Sequence, residues 1–179
     1  AIKKLITRDN VFALVAGLCS NAIAPAIEFI EQSKIPYFTG SLSDPNTTSP
    51  TKRYIFRAGM LPATYQGSAA ARLAVEYFKG KKVGIIHVAD EYGVRNRDGA
   101  KAGLERLGIK PTAVEAFNPG DPDYTAQLTN LKNAGSEIVI LVAYPPDGAK
   151  IVTQAKKRDF NPMWIGSGAT CEPSFAAMA

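Results

Sequence analysis

Two rhythms of apolar residues alternate along the chain. Unbroken or alternating apolar runs of strand length occupy residues 11–18, 35–39, 54–58, 83–88, 113–117, 138–143 and 163–165. Between them apolar residues return every three or four positions, the spacing of a helix with one buried face. Ile23, Ile27 and Ile30 do so within 21–33, as does the stretch 64–78. Ala100, Gly103, Leu104 and Leu107 follow the same spacing, then Tyr124, Leu128 and Leu131, then Ala149, Val152 and Ala155. Strand and helix signals taking turns predict an α/β fold on parallel sheets, because parallel neighbours need a crossover between them. Polar segments at 40–50 and 118–123 read as a loop and a turn. The pattern breaks at Gly59-Met60-Leu61-Pro62, so two lobes are expected, a partial one at 1–59 and most of a second at 60–179.

Composition narrows the function classes. With 46% hydrophobic and 21% charged residues among 179, the chain can bury a substantial core. Its longest apolar runs are too short to span a bilayer. The net charge of +5 invites a nucleic-acid reading. Its basic residues, however, are scattered, and the clusters at 79–82 and 156–158 fall where helical patterns end, where cations complement the helix dipole. No nucleic acid is expected as a partner. His87 is the only histidine, and Cys19 and Cys171 lack zinc spacing, so neither a metal nor another cofactor is expected. Two cysteines fit either one exported disulfide or two buried thiols. Residues 1–8 lack the apolar core and cleavage site of a secretory signal, so any signal peptide is expected to lie upstream or to have been removed.

Ligands of parallel α/β sheets bind beyond the carboxyl ends of the strands, so those ends hold the candidate chemistry. They read Cys19-Ser20-Asn21, Thr39-Gly40-Ser41-Leu42-Ser43, Asp90-Glu91-Tyr92-Gly93, Tyr144-Pro145-Pro146-Asp147 and Gly166-Ser167-Gly168-Ala169-Thr170. Ser20, Ser41 and Ser43 bring hydroxyls and backbone N–H groups suited to a small anion such as a carboxylate. Tyr92 and Tyr144 bring flat apolar walls with polar tips. Taken singly, Ser20 also reads as a helix cap and the glycines as turn residues. Asp90 and Glu91, adjacent carboxylates at a strand end, suit a base, a cation site, a ligand's ammonium group or a solvated lip.

Enzyme signatures are wanting. There is no phosphate-binding P-loop, Gly166-Ser-Gly168 lacks the third glycine of a dinucleotide fingerprint, and residues 17–21 do not form a nucleophile elbow. A Cys19–His87 thiolate pair is outweighed by the strand residues around both. Asn46-Thr47-Thr48 matches a glycosylation sequon, a short pattern common by chance.

Residues 12–20 (FALVAGLCS), the 35–39 strand with its Ser41 to Ser43 loop, and Tyr54-Ile-Phe-Arg57 resemble the first lobe of a known family. Residues 83–93 (VGIIHVADEYG), Asp123-Tyr124 with Leu128, and Trp164-Ile-Gly166 resemble its second lobe. The family is the type I periplasmic binding proteins of the branched-chain amino acid group, which deliver solutes to ABC importers. The resemblance implies two Rossmann-like lobes closing on a small solute and a non-enzymatic role in the periplasm beside ABC permease membrane subunits. It implies that Ser20, Ser41, Leu42 and Ser43 hold the ligand's carboxylate, and that Tyr92 and Tyr144 close over it. A ligand-sensing receptor or regulatory domain on the same fold is the alternative, and an α/β enzyme using Cys19 or Asp90 and Glu91 stands behind both.

Two departures qualify the resemblance. Amino acid binders of the family usually carry a glutamate for the α-ammonium group at the position that Gly168 fills here. A buried ammonium without a carboxylate costs several kcal/mol. The expected ligand is therefore a carboxylate without an α-amino group, an aromatic or other organic acid, with Gly168 lining its site; Glu172, Asp147 and Glu91 keep a branched-chain or other amino acid open. The family's chains are also longer at both ends, so a fragment is expected here, with Cys19 paired to a cysteine outside it.

Overall fold

The computed structural model describes residues 1–15, 23–40, 52–59 and 61–178. Contacts divide the chain into two compact units, Ala1–Ala63 and Thr64–Ala179. The division falls slightly beyond the Gly59-Met60-Leu61-Pro62 break.

The first unit holds helix α1 (Ile2–Thr7), strand β1 (Leu14–Val15), helix α2 (Ile27–Ser33), strand β2 (Tyr37–Thr39) and strand β3 (Ile55–Arg57). The strands form a parallel sheet in the order β1-β2-β3, with Leu14 beside Tyr37 and Tyr37 beside Ile55. These three residues join Ile23, Ile27 and Ile30 in one core, so the apolar stripe read at helical spacing is the face that is buried. Within the stretch expected to be one helix, Ala24–Ala26 form a 3₁₀ turn leading into α2. Pro25, in this turn, has no N–H to give to the α-helical ladder, which interrupts the regular helix here. The helix α1 has no counterpart in the sequence pattern; it is six residues long, without a side-chain cap. Ile2 and Ile6, one turn apart, anchor it to the core.

Helix α3 (Ala63–Arg72), which belongs to the second unit from Thr64 onward, is prolonged by a π-helical turn at Leu73–Tyr77. Next come strand β4 (Val83–Val88), helix α4 (Glu91–Arg106), strand β5 (Val114–Phe117), helix α5 (Thr125–Asn133) and strand β6 (Ile138–Val142). Helix α6 (Pro145–Lys156), strand β7 (Met163–Gly166), a 3₁₀ turn at Gly168–Cys171 and helix α7 (Pro173–Met178) complete it. The parallel sheet runs β5-β4-β6-β7, placing β4 and β6 in the middle. Every residue of those two strands is buried, as expected for continuous apolar runs covered on both faces. On α6 the buried apolar positions are Ala149, Ile151 and Ala155, whereas Val152 of the expected face is only half-buried.

Helices α3 and α4 meet through glycine. A Cβ on Gly67 would stand 1.9 Å from the carbonyl oxygen of Asn96, and one on Gly99 1.9 Å from that of Thr64. Neither distance admits a side chain. The backbones thus touch directly, which fixes where α4, and the residues at its N-terminus, sit against the second unit's sheet.

Candidate functional site

Three strand ends of the second unit converge. After β4 the chain turns at Asp90, whose extended backbone makes it the N-cap of α4. Its Oδ1 accepts a hydrogen bond from the amide of Gly93 at 2.8 Å, as a carboxylate at a helix N-terminus should. Gly93 packs so closely on the end of β4 that a Cβ there would lie 1.8 Å from the carbonyl oxygen of Val88. This lets Tyr92 fold back against the strand ends, where it is buried.

After β6, Tyr144 is held extended, because Pro145 follows it and disfavours the helical conformation for the preceding residue. Pro145 and Pro146 start α6 where a missing N–H costs nothing. The Tyr144 ring stacks on Tyr92, with centroids 5.7 Å apart and planes 25° from parallel. Its hydroxyl donates to Oδ2 of Asp90 at 2.9 Å.

After β7, the amide of Ser167 extends the sheet ladder to the carbonyl of Leu141. Beyond it the amide of Gly168 donates to Oε1 of Gln66, and that of Ala169 donates to the Tyr92 hydroxyl oxygen, both at 3.3 Å. Burial is the main influence on the Tyr92 phenol and pushes its pKa up, with nearby Ser167 and the Ala169 amide opposing. It is neutral at physiological pH. Ser167 Oγ is itself buried and, although close to Tyr92, makes no well-formed hydrogen bond.

These contacts make one continuous assembly, from Gly168 and Ala169 through Tyr92 and Tyr144 to Asp90. The structure thus brings together Tyr92, Tyr144 and Gly168. Ser20, Ser41, Leu42 and Ser43 lie outside the described residues, as do Cys19 and the Asn46 sequon. Gln66 has no distinctive local signal, and Ala169 stood in the β7 strand end without a role of its own; they reach the site only because α3 and the β7 loop are packed onto α4.

The neighbouring acids divide sharply in role. Glu91 turns away to Arg95, 2.8 Å from its Nε. Asp147 is buried, and its Oδ1 accepts from the Tyr124 hydroxyl at 2.9 Å and from the Gly120 amide at 3.2 Å. Burial and this carboxylate both push the Tyr124 pKa up. Asp147 thereby ties the β5–α5 turn to α6, a structural task that argues against its receiving a ligand's ammonium group. Glu172 is exposed. His87 is buried within β4, its Nδ1 2.9 Å from the Val88 carbonyl oxygen, and burial lowers its pKa. Cys171 is a free, exposed thiol. Among the described residues no helix is long and apolar enough to cross a membrane.

The family model described as periplasmic binding protein matches residues 1–178. A leucine-, isoleucine-, valine-, threonine- and alanine-binding protein of Pseudomonas aeruginosa is 28% identical over the whole chain, which covers 48% of that protein. The chain therefore spans about half the length of the curated relatives it matches. A branched-chain amino acid transporter substrate-binding protein from Streptococcus pneumoniae, solved with isoleucine, superposes with a TM-score of 0.85 at 24% identity, over 98% of this chain and 49% of its own. A solute-binding protein of an ABC transporter from R. palustris, solved with 4-hydroxybenzoate, superposes at 0.84 with 15% identity, over 98% and 48%. At these identities the two structures establish the type I periplasmic binding protein fold.

Proposed function

This chain belongs to the periplasmic binding protein family, and we propose that it is part of an extracytoplasmic solute-binding component of an ABC importer. Its ligand is a small carboxylate without an α-amino group, an aromatic or other organic acid. Ser20 and the Ser41 to Ser43 loop hold the carboxylate, Tyr92 and Tyr144 form the wall against its body, and Gly168 leaves room beside them. An ABC permease is the partner, and the role is binding rather than catalysis.

The observation that carries the ligand class is the stacked Tyr92–Tyr144 pair beside a glycine at 168. Stacked phenols offer an apolar slab, whereas an α-ammonium group needs a carboxylate at hydrogen-bond distance. Glu91 is engaged with Arg95 and Asp147 with Tyr124. Both kinds of solute occur among similar proteins: one relative is named for binding leucine, isoleucine, valine, threonine and alanine, and a protein of the same fold was solved with 4-hydroxybenzoate. A thermal-shift screen of the protein against α-amino acids, their deaminated analogues and aromatic acids tests the reading. Stabilisation by carboxylates lacking the α-amine is expected; stabilisation by α-amino acids alone overturns the ligand class, and silence from every small solute overturns the binding role.

A further inference from the structure

We infer that the outward face of α3 is a contact surface for a second copy of this chain, the two copies meeting through antiparallel α3 helices about a two-fold axis. Such pairing is independent of the ligand proposed above.

A surface helix normally carries polar residues opposite its buried face. On α3 and its π-helical turn the buried side holds Gly67, Ala71 and Ala74, but the opposite side is largely apolar. Tyr65, Ala69, Leu73 and Tyr77, spaced four apart, form an exposed stripe along it, with Tyr65 60%, Leu73 42% and Tyr77 73% open to solvent. A groove of about 470 Å³ between α3 and α4 flanks the stripe, with Tyr65, Ser68 and Arg72 on one side and Gly99, Gly103 and Arg106 on the other. Exposed aromatic rings beside arginines are what protein–protein interfaces are enriched in.

The two arginines are the only charged residues lining that groove. Arg72 is paired with Glu76 at 2.9 Å. Arg106 donates from Nη2 to the Ser68 hydroxyl at 2.6 Å, and among the described residues no acid pairs with it. A guanidinium held by a neutral hydroxyl at the lip of a groove suits an incoming carboxylate.

The stripe is complementary to itself. A two-fold axis level with residue 71 sets Leu73 of each copy over Ala69 of the other, a large side chain against a small one, and Tyr77 over Tyr65. Rotation about that axis keeps the groove side of one helix against the groove side of the other and reverses its direction. Glu76 of each copy therefore arrives beside Ser68 of the other, where Arg106 is held. Each copy supplies the carboxylate that the other's guanidinium lacks.

A single pair of helices makes a smaller contact than a standard interface, so the dimer is weak and reversible. Sedimentation equilibrium from about 1 μM to about 1 mM tests it. Wild type is expected to dimerise with rising concentration, and Leu73→Asp, which puts a charge at the centre of the contact, to weaken the dimer by about tenfold or more. Arg106→Glu and Glu76→Arg each set like charges against one another at both ends, and each alone is expected to weaken it similarly. An equimolar mixture of these two variants pairs unlike charges at both ends and is expected to restore a dimer close to wild-type strength. Leu73, Glu76 and Arg106 are all exposed, so the fold is kept, and circular dichroism checks that it is. A wild type that stays monomeric throughout, a dimer that Leu73→Asp leaves intact, or charge variants that remain monomeric when mixed overturns the inference.

Discussion

The hydroxyl of Tyr92 accepts the amide proton of Ala169 while its ring carries the ring of Tyr144. One buried side chain thus links the strand end of β7 to that of β6. Its two halves are separable by substitution. Tyr92→Phe keeps the stack and orphans the Ala169 amide, for an expected loss of about 1–3 kcal/mol. Tyr92→Ala removes the wall on which Tyr144 rests, and about 3–5 kcal/mol is expected. Urea denaturation gives both values. Ligand affinity should fall much further for alanine than for phenylalanine; equal losses would mean that the hydroxyl, and not the ring, matters to the ligand.

Gly93 offers a harsher test of how the site is placed. A methyl group there has nowhere to go, because the obstacle is the Val88 carbonyl of a buried central strand and not a flexible side chain. Gly93→Ala is expected to push the start of α4 off β4, at a cost of about 1–3 kcal/mol or more. Asp90 and Tyr92 shift with it, so affinity falls along with stability. An alanine variant with wild-type denaturation midpoint and affinity would show that α4 is not seated by this contact.

The parts of this arrangement that were legible in the sequence are those governed by local periodicity. The continuous apolar run at 83–88 coincides with β4, because a central parallel strand buries every side chain. Tyr124, Leu128 and Leu131, read at helical spacing, are all buried. The strand-end rule pointed to Tyr92 and Tyr144, and the family resemblance to Gly168. What stayed hidden depends on distant segments. Nothing around Gln66 announces that its carbonyl reaches the amide of Gly168, and the adjacency of Asp90 and Glu91 suggested a pair where the fold sends one to Tyr144 and the other to Arg95. Asp147 looked like a spare acid at a strand end, but only the position of Tyr124 shows that it is committed.

Acid should weaken the second unit through His87. Burial lowers the pKa of its imidazole below the ordinary value, so the unfolded chain takes up the proton first as pH falls. The stabilisation from keeping His87 neutral is complete above about pH 6.5, and it is lost progressively as pH drops below that toward the depressed folded-state value. Denaturation midpoints measured between about pH 7.5 and 5 should decline, and more steeply for wild type than for His87→Gln. Parallel curves would assign the decline to other groups.

Gly168 is where an acid can be put back. Its amide, and not a side chain, donates to Gln66, and it lies in a short 3₁₀ turn outside the residues with positive φ. A glutamate is therefore compatible with the backbone. The resemblance implies that amino acid binders of the family usually carry a glutamate at this position, and a buried ammonium group requires such a partner. Gly168→Glu is accordingly expected to raise the preference for isoleucine over 3-methylpentanoate by about tenfold or more, a charge-assisted hydrogen bond's worth. It should also weaken benzoate, whose rim then faces a second negative charge. Titration of both proteins with these ligands measures the change. If the preference does not move, an acid at this position does not meet the amine, and the reading of Gly168 as the place where an ammonium partner is wanting falls.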